Sequence, residues 1–481
     1  MKKSPSFFLA ILICLHFASG QEKFRRLPPY PDPLIEWRPP RLETATLSNG
    51  LTVAVLPRKN SPFLSLQLLV RAGESSSPEN LPGLATTTAR LVNRGTFLLS
   101  ATDIEDKLEA IGGQLEIITT FDRTLFSLNC LEENLDEALS LLSQMIMQPS
   151  FPANELDAVR RQVSYEFLEK RENPDYLAQR QLFRFLFAGH PYERALFNED
   201  SLRRITRRDI QLFFARYYRP ENSVIVIGGD LGLSTVSRKV SHYFNTWKKE
   251  DGPLPTIPGL TPSAEKIFGF VDLPRAKEIT VVLGNIVSGQ LTDDIFPFLV
   301  LNQVFGGSPH SRLFMNLRET SQLAYTAFSE VEIFQEGWVF MIQAKFPPTA
   351  VASGLRQIDK ELARLKEEKI PTAEIEQAKS FLIESFPLDI ETLDVMTRRA
   401  AEVLAFGLRE SHWERWSENI LTSEANRVMG VAQKLLTVPF SVVIVGDSRL
   451  LINFFQEYDE IIRVYDQKGQ FLYSLSKGVE R

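Results

Sequence analysis

The sequence is poor in the residue types that mark several classes of protein. Its 481 residues include only 2 Cys and 5 His, which excludes a disulfide-stabilised scaffold. No apolar run approaches the roughly 20 residues that a membrane-spanning helix needs. The 54 Lys and Arg residues are outnumbered by 60 Asp and Glu and are scattered along the chain, so nothing suggests a nucleic-acid-binding surface. The composition predicts an acidic soluble protein that is long enough for two or more domains.

Residues 1–20 have the pattern of a secretory signal peptide. Lys2 and Lys3 precede the apolar run FFLAILICLHF at 7–17, and the small residues ASG at 18–20 would permit cleavage before Gln21. An uncleaved membrane anchor is the alternative, but about 11 apolar residues are too few to span a bilayer. We therefore expect an exported protein, in which Cys130 is the only remaining cysteine and no intrachain disulfide forms.

Two proline clusters suggest how the rest of the chain is divided. Six prolines between positions 28 and 40 predict an extended arm over residues 21–44, and four between 253 and 262 predict a linker over residues 251–264. An N-terminal domain at 45–250 and a C-terminal domain at 265–463 would lie on either side of this linker. The remaining tail, 464–481, would form either a hairpin or a frayed end.

The two domains repeat one pattern. The helix-opening segment PANELDAV at 152–159 recurs as PTAEIEQA at 371–378, and the apolar run SVIVIG at 223–228 recurs as SVVIVG at 441–446. The two offsets, 219 and 218 positions, are nearly equal, which indicates a duplication.

Short β-rich segments alternate with amphipathic helices in each domain. The segments LTVAVL at 51–56 and SLQLLV at 65–70 are predicted to be paired strands, with Asn49-Gly50 as a turn signal ahead of the first. Strands and helices mix without strict βαβ alternation. The pattern therefore favours an α+β fold of two homologous halves, each a mainly antiparallel sheet with helices packed on one face.

Eight short segments resemble, in their order along the chain, the pitrilysin (insulinase-type) zinc metallopeptidase family. They are LSNGLTV at 47–53, RAGE at 71–74, GLA at 83–85, RGT at 94–96, HPY at 190–192, YYRPEN at 217–222, SRLFMNLRE at 311–319 and LAY at 323–325. The resemblance covers about residues 45–460. It implies the mitochondrial processing peptidase/pitrilysin fold for both halves.

The catalytic motif of that family is absent from this sequence. Its peptidases carry His-x-x-Glu-His after Gly-x-Ala, with two imidazoles on zinc and the Glu as general base. The five positions here are Thr86, Thr87, Thr88, Ala89 and Arg90. Neither a metal-binding imidazole nor the base is present, and an arginine would repel a cation. We expect no zinc bound by this chain, and no other metal site, because no two of the four histidines that follow the signal peptide lie within four residues of each other.

One zinc ligand of the family has a counterpart. The third ligand is a Glu about 75 residues downstream of the motif, and Glu166 occupies that place. We hypothesise that Arg90 pairs with Glu166, so that a side-chain cation takes the place of the zinc ion. The alternative is that Glu166 is an ordinary solvated carboxylate on a helix.

The second half retains two residues with a functional counterpart. Arg318 and Tyr325 resemble the Arg and Tyr that the family's C-terminal repeat projects toward the zinc site of the catalytic repeat. A guanidinium can bind a substrate carbonyl or carboxylate, and a phenol can donate a hydrogen bond to a forming oxyanion. Without the resemblance, Arg318 would be interpreted as a helix-surface partner of Glu319, and Tyr325 as a half-buried strand residue.

The resemblance as a whole implies a non-catalytic subunit of a two-subunit exported metallopeptidase, periplasmic in the bacterial branch or secreted. Its partner would be a homologous subunit with an intact His-x-x-Glu-His motif and the zinc ion. This chain would close the chamber in which unfolded or short peptides are cut, and would supply Arg318 and Tyr325 to the partner's site. The alternatives are a non-proteolytic scaffold, as in the core subunits of respiratory complexes, and a protein that binds peptides without cleaving them.

Overall fold

The computed structural model describes residues 38–480 except 198, 251, 289–291, 409, 458–459 and 477–478. The predicted signal peptide and most of the predicted arm lie outside the described residues. The strands are β1 Glu43–Thr46, β2 Thr52–Pro57, β3 Phe63–Val70, β4 Gln114–Thr119, β5 Thr124–Leu131, β6 Ser223–Gly229, β7 Phe268–Asp272, β8 Ile279–Ser288, β9 Thr326–Phe334, β10 Gly337–Phe346, β11 Ser441–Gly446, β12 Ile462–Tyr465, β13 Phe471–Ser476 and β14 Val479–Glu480.

The helices lie between the strands, several in succession after β5 and after β10. They are α1 Leu84–Val92, α2 Ala101–Ala110, α3 Leu135–Met147, α4 Ala153–Lys170, α5 Pro174–Leu186, α6 Glu199–Arg204, α7 Arg207–Tyr217, α8 Leu233–Phe244, α9 Ile295–Phe305, α10 Arg312–Phe314, α11 Val351–Glu367, α12 Thr372–Asp389, α13 Leu393–Ala405, α14 Glu410–Glu414, α15 Trp416–Leu421, α16 Ala425–Leu435 and α17 Ile452–Glu457. A π-helix, Met315–Thr320, continues α10.

The first sheet has the strand order β1-β2-β6-β3-β5-β4, and all its pairs are antiparallel except β2 with β6. The expected pairing of β2 with β3 is wrong, because β6 lies between them. Every residue of β6 is buried, and its run of Val and Ile side chains fills both faces. Such a strand belongs in the interior of a sheet rather than at an edge. The Asn49-Gly50 turn signal is correct, because the turn at 47–51 joins β1 to β2.

The second sheet repeats this arrangement and extends it. Its order is β14-β13-β12-β7-β11-β8-β10-β9, with β11 parallel to β7 and antiparallel to β8, as β6 is to β2 and β3. The two mainly antiparallel sheets and their helices confirm the predicted α+β fold of two homologous halves. After β11 the chain adds a hairpin formed by β12 and β13. The predicted tail was expected to be either a hairpin or a frayed end, and its described residues form part of this hairpin.

Each sheet packs one face against helices of its own half. Side chains of α1, α2, α3, α4, α7 and α8 form the first core with β2, β3, β5 and β6. Side chains of α9 to α12, α15, α16 and α17 form the second core with β7 to β12. Among the described residues, no helix is long and apolar enough to cross a membrane.

The other face of each sheet is covered by a helix from the opposite half. Helix α13 lies on β3 and β6, where Thr397 occupies the space that a side chain on Gly228 would need. Helix α5 lies on β8 and β11, where Leu182 packs against Gly284. The sequence does not predict this exchange, because the predicted domain bounds place α5 in the N-terminal domain and α13 in the C-terminal domain.

Candidate functional site

Helix α1 carries the degenerate motif, and a buried carboxylate holds its first turn. Gly83 precedes the helix with φ at 92°, a left-handed conformation that favours glycine. Glu74 accepts hydrogen bonds from the backbone N–H of Gly83 at 3.0 Å, from that of Thr86 at 2.7 Å and from the Ser77 hydroxyl at 2.9 Å. These bonds satisfy donors that a helix N-terminus leaves open, and the helix dipole favours the negative charge.

Burial raises the pKa of Glu74, although the hydrogen bonds from Thr86, Ser77 and Gly83 act in the opposite direction. Glu74 is a structural residue of the site that was not predicted from the sequence, although it lay within one of the matching segments. A feature of the sequence could have identified it: helix α1 is preceded by Gly83 and has no Ser, Thr, Asp or Asn cap, so a nearby acidic residue is needed to accept its first N–H groups.

The five degenerate positions divide into a buried set and an accessible pair. Thr87, Thr88 and Ala89 are fully buried, and the Thr87 hydroxyl donates to the Gly83 carbonyl at 2.8 Å. Thr86 and Arg90, one turn apart, line a cavity of about 280 Å³. These are the two positions at which the family's motif places its imidazoles.

The structure confirms the hypothesised ion pair between Arg90 and Glu166. The Nη1 atom of Arg90 lies 2.5 Å from Oε1 of Glu166, and Nη2 lies 2.7 Å from Oε2. This two-pronged geometry is the strongest form of a guanidinium–carboxylate contact, and it ties α1 to α4. Glu166 is therefore not an unpaired solvated carboxylate. Its two oxygens are both engaged by a cation.

The donor set at this position does not fit zinc. Thr86 offers only a hydroxyl, Arg90 carries a permanent positive charge and the oxygens of Glu166 already bind it. Nor do the described residues contain any group of three or more His, Cys, Asp or Glu side chains arranged to hold a metal ion.

Both ring nitrogens of His190 contact the backbone. Nε2 of His190 lies 2.8 Å from the Pro258 carbonyl, and Nδ1 accepts the backbone N–H of Tyr192 at 3.2 Å. Burial lowers the pKa of His190, so the neutral ring that these two contacts need is favoured.

Arg318 and Tyr325 lie in the second half, apart from the degenerate motif. Arg318 is in the π-helix, with its guanidinium over the Phe314 ring at 5.1 Å and its Nε 3.7 Å from a carboxylate oxygen of Glu319. Tyr325 immediately precedes β9 and is 54% exposed. The contact with Glu319 is the one expected without the family resemblance. Both polar groups nonetheless remain open to solvent.

A buried carboxylate fixes the segment that carries these two residues. Asn316 donates to Glu361 at 2.6 Å and accepts from the Ser321 hydroxyl at 3.0 Å. The backbone N–H groups of Leu323 and Ala324 both donate to the Leu317 carbonyl. The turn between the π-helix and β9 is therefore braced at both ends, and Arg318 and Tyr325 project from a well-connected support.

Two family models account for most of the two halves. The model described as Insulinase (Peptidase family M16) matches residues 52–200, and the model described as Peptidase M16 inactive domain matches residues 204–382. The chain belongs to the M16 peptidase family. Within this M16 chain, the match to the insulinase model includes the helix on which Thr86 and Arg90 replace the zinc-binding imidazoles.

Curated relatives and solved structures agree with this assignment. A protein of Helicobacter pylori named "Non-peptidase homolog YmxG" is 28% identical over 368 residues, which are 72% of this M16 chain and 80% of that protein. A crystal structure of a peptidase M16 inactive domain from Pseudomonas fluorescens has a TM-score of 0.77 at 23% identity, covering 84% of this chain and 98% of the other.

A third protein shares the fold but is longer. The periplasmic protease PqqL from Escherichia coli has a TM-score of 0.71 at 15% identity, and the match covers 92% of this chain and 51% of PqqL. The M16 chain described here is an inactive homologue, because its motif helix lacks the ligands and the base that zinc peptidase chemistry requires.

Proposed function

We propose that this protein is the non-catalytic subunit of a two-subunit, exported M16 metallopeptidase. A homologous partner with an intact His-x-x-Glu-His motif would hold the zinc ion. This chain would close the peptide chamber and present Arg318 and Tyr325 to the partner's site. The observation that carries the proposal is the combination of a motif helix sealed by the Arg90–Glu166 pair with two exposed polar side chains on a braced turn.

The chemistry of the two side chains suits an auxiliary role. The Tyr325 hydroxyl can donate a hydrogen bond to the oxyanion that forms on a scissile carbonyl, and one such donor contributes about 10²-fold or more to a rate. The Arg318 guanidinium can hold a substrate carbonyl or carboxylate. A scaffold has no need of either group at the surface.

An exported location is part of the same proposal. It is supported by the signal-peptide pattern at residues 1–20 and by the likeness in fold to a periplasmic protease. The substrates would be unfolded or short peptides, because a closed chamber excludes folded proteins by size.

The test is a peptide-cleavage assay with the two subunits alone and mixed. A quenched fluorogenic peptide is incubated with this protein, with an M16 partner that has the intact motif, and with both. We expect turnover only in the mixture, and a loss of about a hundredfold or more with Tyr325→Phe, which removes the donor but keeps the ring.

Tyr165→Phe is the matched control, because it removes the same hydroxyl from another exposed tyrosine, on α4 in the first half. Its turnover should equal that of the original mixture. A mixture no faster than the partner alone would overturn the proposal and favour a scaffold or a peptide-binding protein.

A further inference from the structure

The cavity beside the Arg90–Glu166 pair contains two cations that form no ion pair with the described residues. Five charged residues line it: Glu74, Arg90, Glu166, Lys170 and Arg180. Arg90 and Glu166 neutralise each other, and the Glu74 carboxylate accepts hydrogen bonds from the backbone at the start of α1. Lys170 and Arg180 remain, and neither forms an ion pair with any of the described residues.

Arg180 is the unusual member of this set. It is 7% exposed, yet its guanidinium contacts only backbone carbonyls, those of Leu196, Phe197 and Lys468, at 3.3 to 3.5 Å. Its Nε has no hydrogen-bond partner among the described residues. A buried cation is ordinarily paired with a carboxylate or phosphate, because long contacts to neutral carbonyls compensate little of its lost hydration.

The surroundings of Arg180 reinforce this charge. Arg171 and Arg184 act on it as like charges. Asp466 acts in the opposite direction but forms no ion pair with Arg180, and its Oδ1 accepts the backbone N–H groups of Lys468 and Gln470. Lys170 lies over the ring of Tyr176 at 5.5 Å, on the same cavity. An anion entering the cavity would therefore find two cations and no competing free carboxylate.

The remaining walls define what kind of anion fits. Phe121, Phe167, Phe183 and Phe197 supply an apolar surface, and Thr119 and Gln179 supply neutral hydrogen-bonding groups. A volume of about 280 Å³ is at the small end for a ligand pocket, so it suits one apolar side chain with its backbone groups rather than a long segment.

We propose that this cavity binds an apolar carboxylate, such as the free C-terminal residue of a peptide, with the carboxylate on Arg180 and Lys170. The site belongs to this chain alone and does not depend on a partner subunit. Its failure would leave the proposed subunit function untouched, and failure of that function would leave the site untouched.

The test uses three probes on the isolated full chain, by titration calorimetry. N-acetyl-phenylalanine has the carboxylate, the amide and the ring; N-acetyl-phenylalaninamide lacks only the charge; 3-phenylpropanoate lacks only the acetylated amine. We expect the first to bind about tenfold or more tightly than the amide, since a hydrogen bond to a charged group strengthens binding by about that factor. Stronger binding of the first than of 3-phenylpropanoate assigns the site to peptide ends. Equal binding by these two acids supports the carboxylate site and assigns it to simple apolar acids.

Two variants locate the carboxylate. Arg180→Gln should abolish the preference for the acid over the amide. Arg184→Gln is the matched control, because Arg184 is one turn along α5 and bonds the carbonyl of Gly469 in the same hairpin turn, but does not line this cavity. It should keep the preference.

A third variant keeps the test decisive if Arg180→Gln does not fold. Lys170→Gln changes an exposed side chain and should weaken binding of the acid without changing binding of the amide. Equal binding of acid and amide by the unmodified protein, or a preference that survives in both Arg180→Gln and Lys170→Gln, would overturn the proposal and leave Arg180 as an anchor for the hairpin.

Discussion

A single arginine determines what the motif helix can do. Because a guanidinium stays charged at any pH that a protein tolerates, Arg90 keeps a positive charge on α1 whether or not a metal ion is available, and this charge links α1 to α4 through Glu166. A zinc ion in the same place could be removed by a chelator or released on protonation of its ligands. The residue-level change therefore replaces a reactive centre with a fixed cross-brace.

If Arg90 is what excludes the metal, two substitutions should restore metal binding. Thr86→His with Arg90→His places two imidazoles at i and i+4 on one face and frees Glu166 as a third ligand. We expect the double variant to retain about one zinc per chain after dialysis, measured by elemental analysis. It should not cleave peptides, because Ala89 supplies no general base.

Thr86→His alone is the control, since Arg90 still occupies Glu166 and no zinc should be retained. Zinc bound equally by the single and double variants would contradict the assignment of Arg90 as the residue that excludes the metal.

Glu74 offers a second prediction at the residue scale. Glu74→Gln replaces one acceptor oxygen with an NH₂ group, which cannot accept a hydrogen bond. In one orientation of the amide this group faces the Gly83 N–H and the Ser77 hydroxyl, and in the other it faces the Thr86 N–H. Either way, at least one donor loses its acceptor. We expect the free energy of unfolding to fall by about 1–3 kcal/mol, measured by urea denaturation.

Glu79→Gln is the matched control, because the same change is made on an exposed side chain of the same loop. Equal stability of the two variants would show that Glu74 does not hold the helix.

At the scale of elements, the exchanged helices are each anchored by an aspartate near their first turn. In α13, Oδ1 of Asp394 accepts from Gln67 at 2.9 Å, Ser127 at 2.9 Å and Asn129 at 3.1 Å, all on the first sheet. In α5, Asp175 lies 219 positions earlier and pairs with Lys345 of the second sheet at 3.0 Å. The duplication thus extends to the contact that holds each helix on the opposite half.

Removing the first anchor should loosen α13. We expect Asp394→Ala to lower the free energy of unfolding by about 1–3 kcal/mol at pH 7. The reason is that four polar side chains beneath the helix, those of Ser65, Gln67, Ser127 and Asn129, lose their shared acceptor. Asp389→Ala, at an exposed position at the end of α12, is the control and should change stability little.

The effect of Asp394→Ala should depend on pH in a defined direction. Burial acts to raise the pKa of Asp394, but hydrogen bonds from Asn129 and Ser127, the charge of Arg398 and a bond from Gln67 outweigh it and lower the pKa. A carboxyl whose pKa is lower in the folded state stabilises the protein above its unfolded value of about 3.9, and this contribution fades as the pH falls. The stability difference should therefore shrink below about pH 4. A difference that is constant from about pH 7 to about pH 3 would contradict the role of the charge.

At the scale of the whole molecule, local patterns predicted the elements better than their arrangement. Periodicity located α4 and α12, and the apolar runs that became β6 and β11 indicated the duplication. The position of β6 between β2 and β3, and the crossing of α5 and α13, depend on contacts between residues far apart in sequence, on which periodicity carries no information.

The site shows the same division. The identity of the residues at the motif positions predicted the loss of zinc and the pairing of Arg90 with Glu166, because a family pattern had already fixed their spacing. The environment of Arg180 could not be predicted, since its contacts come from 196–197 and from the distant turn at Lys468.

The exchange itself can be tested at one glycine. A Cβ added at Gly228 would lie 2.1 Å from the Thr397 hydroxyl of α13, so Gly228→Ala must push the helix away from β6. We expect a loss of about 1–3 kcal/mol in unfolding free energy and faster proteolysis between the halves. Gly232→Ala, where an added Cβ meets nothing within 4 Å, should change neither measurement. Equal stability and equal proteolysis of the two variants would show that α13 is not closely seated.

The reciprocal helices also govern when the chain can finish folding during its synthesis. The first sheet is complete once Gly229 has emerged, yet the helix that covers its polar face ends at Ala405. Until α13 has been synthesised, the side chains of Gln67 and Ser127 remain exposed to water, and no helix covers this face of the first sheet. The polypeptide must therefore leave the ribosome nearly whole before either half is native, so folding of the N-terminal half cannot finish early in synthesis.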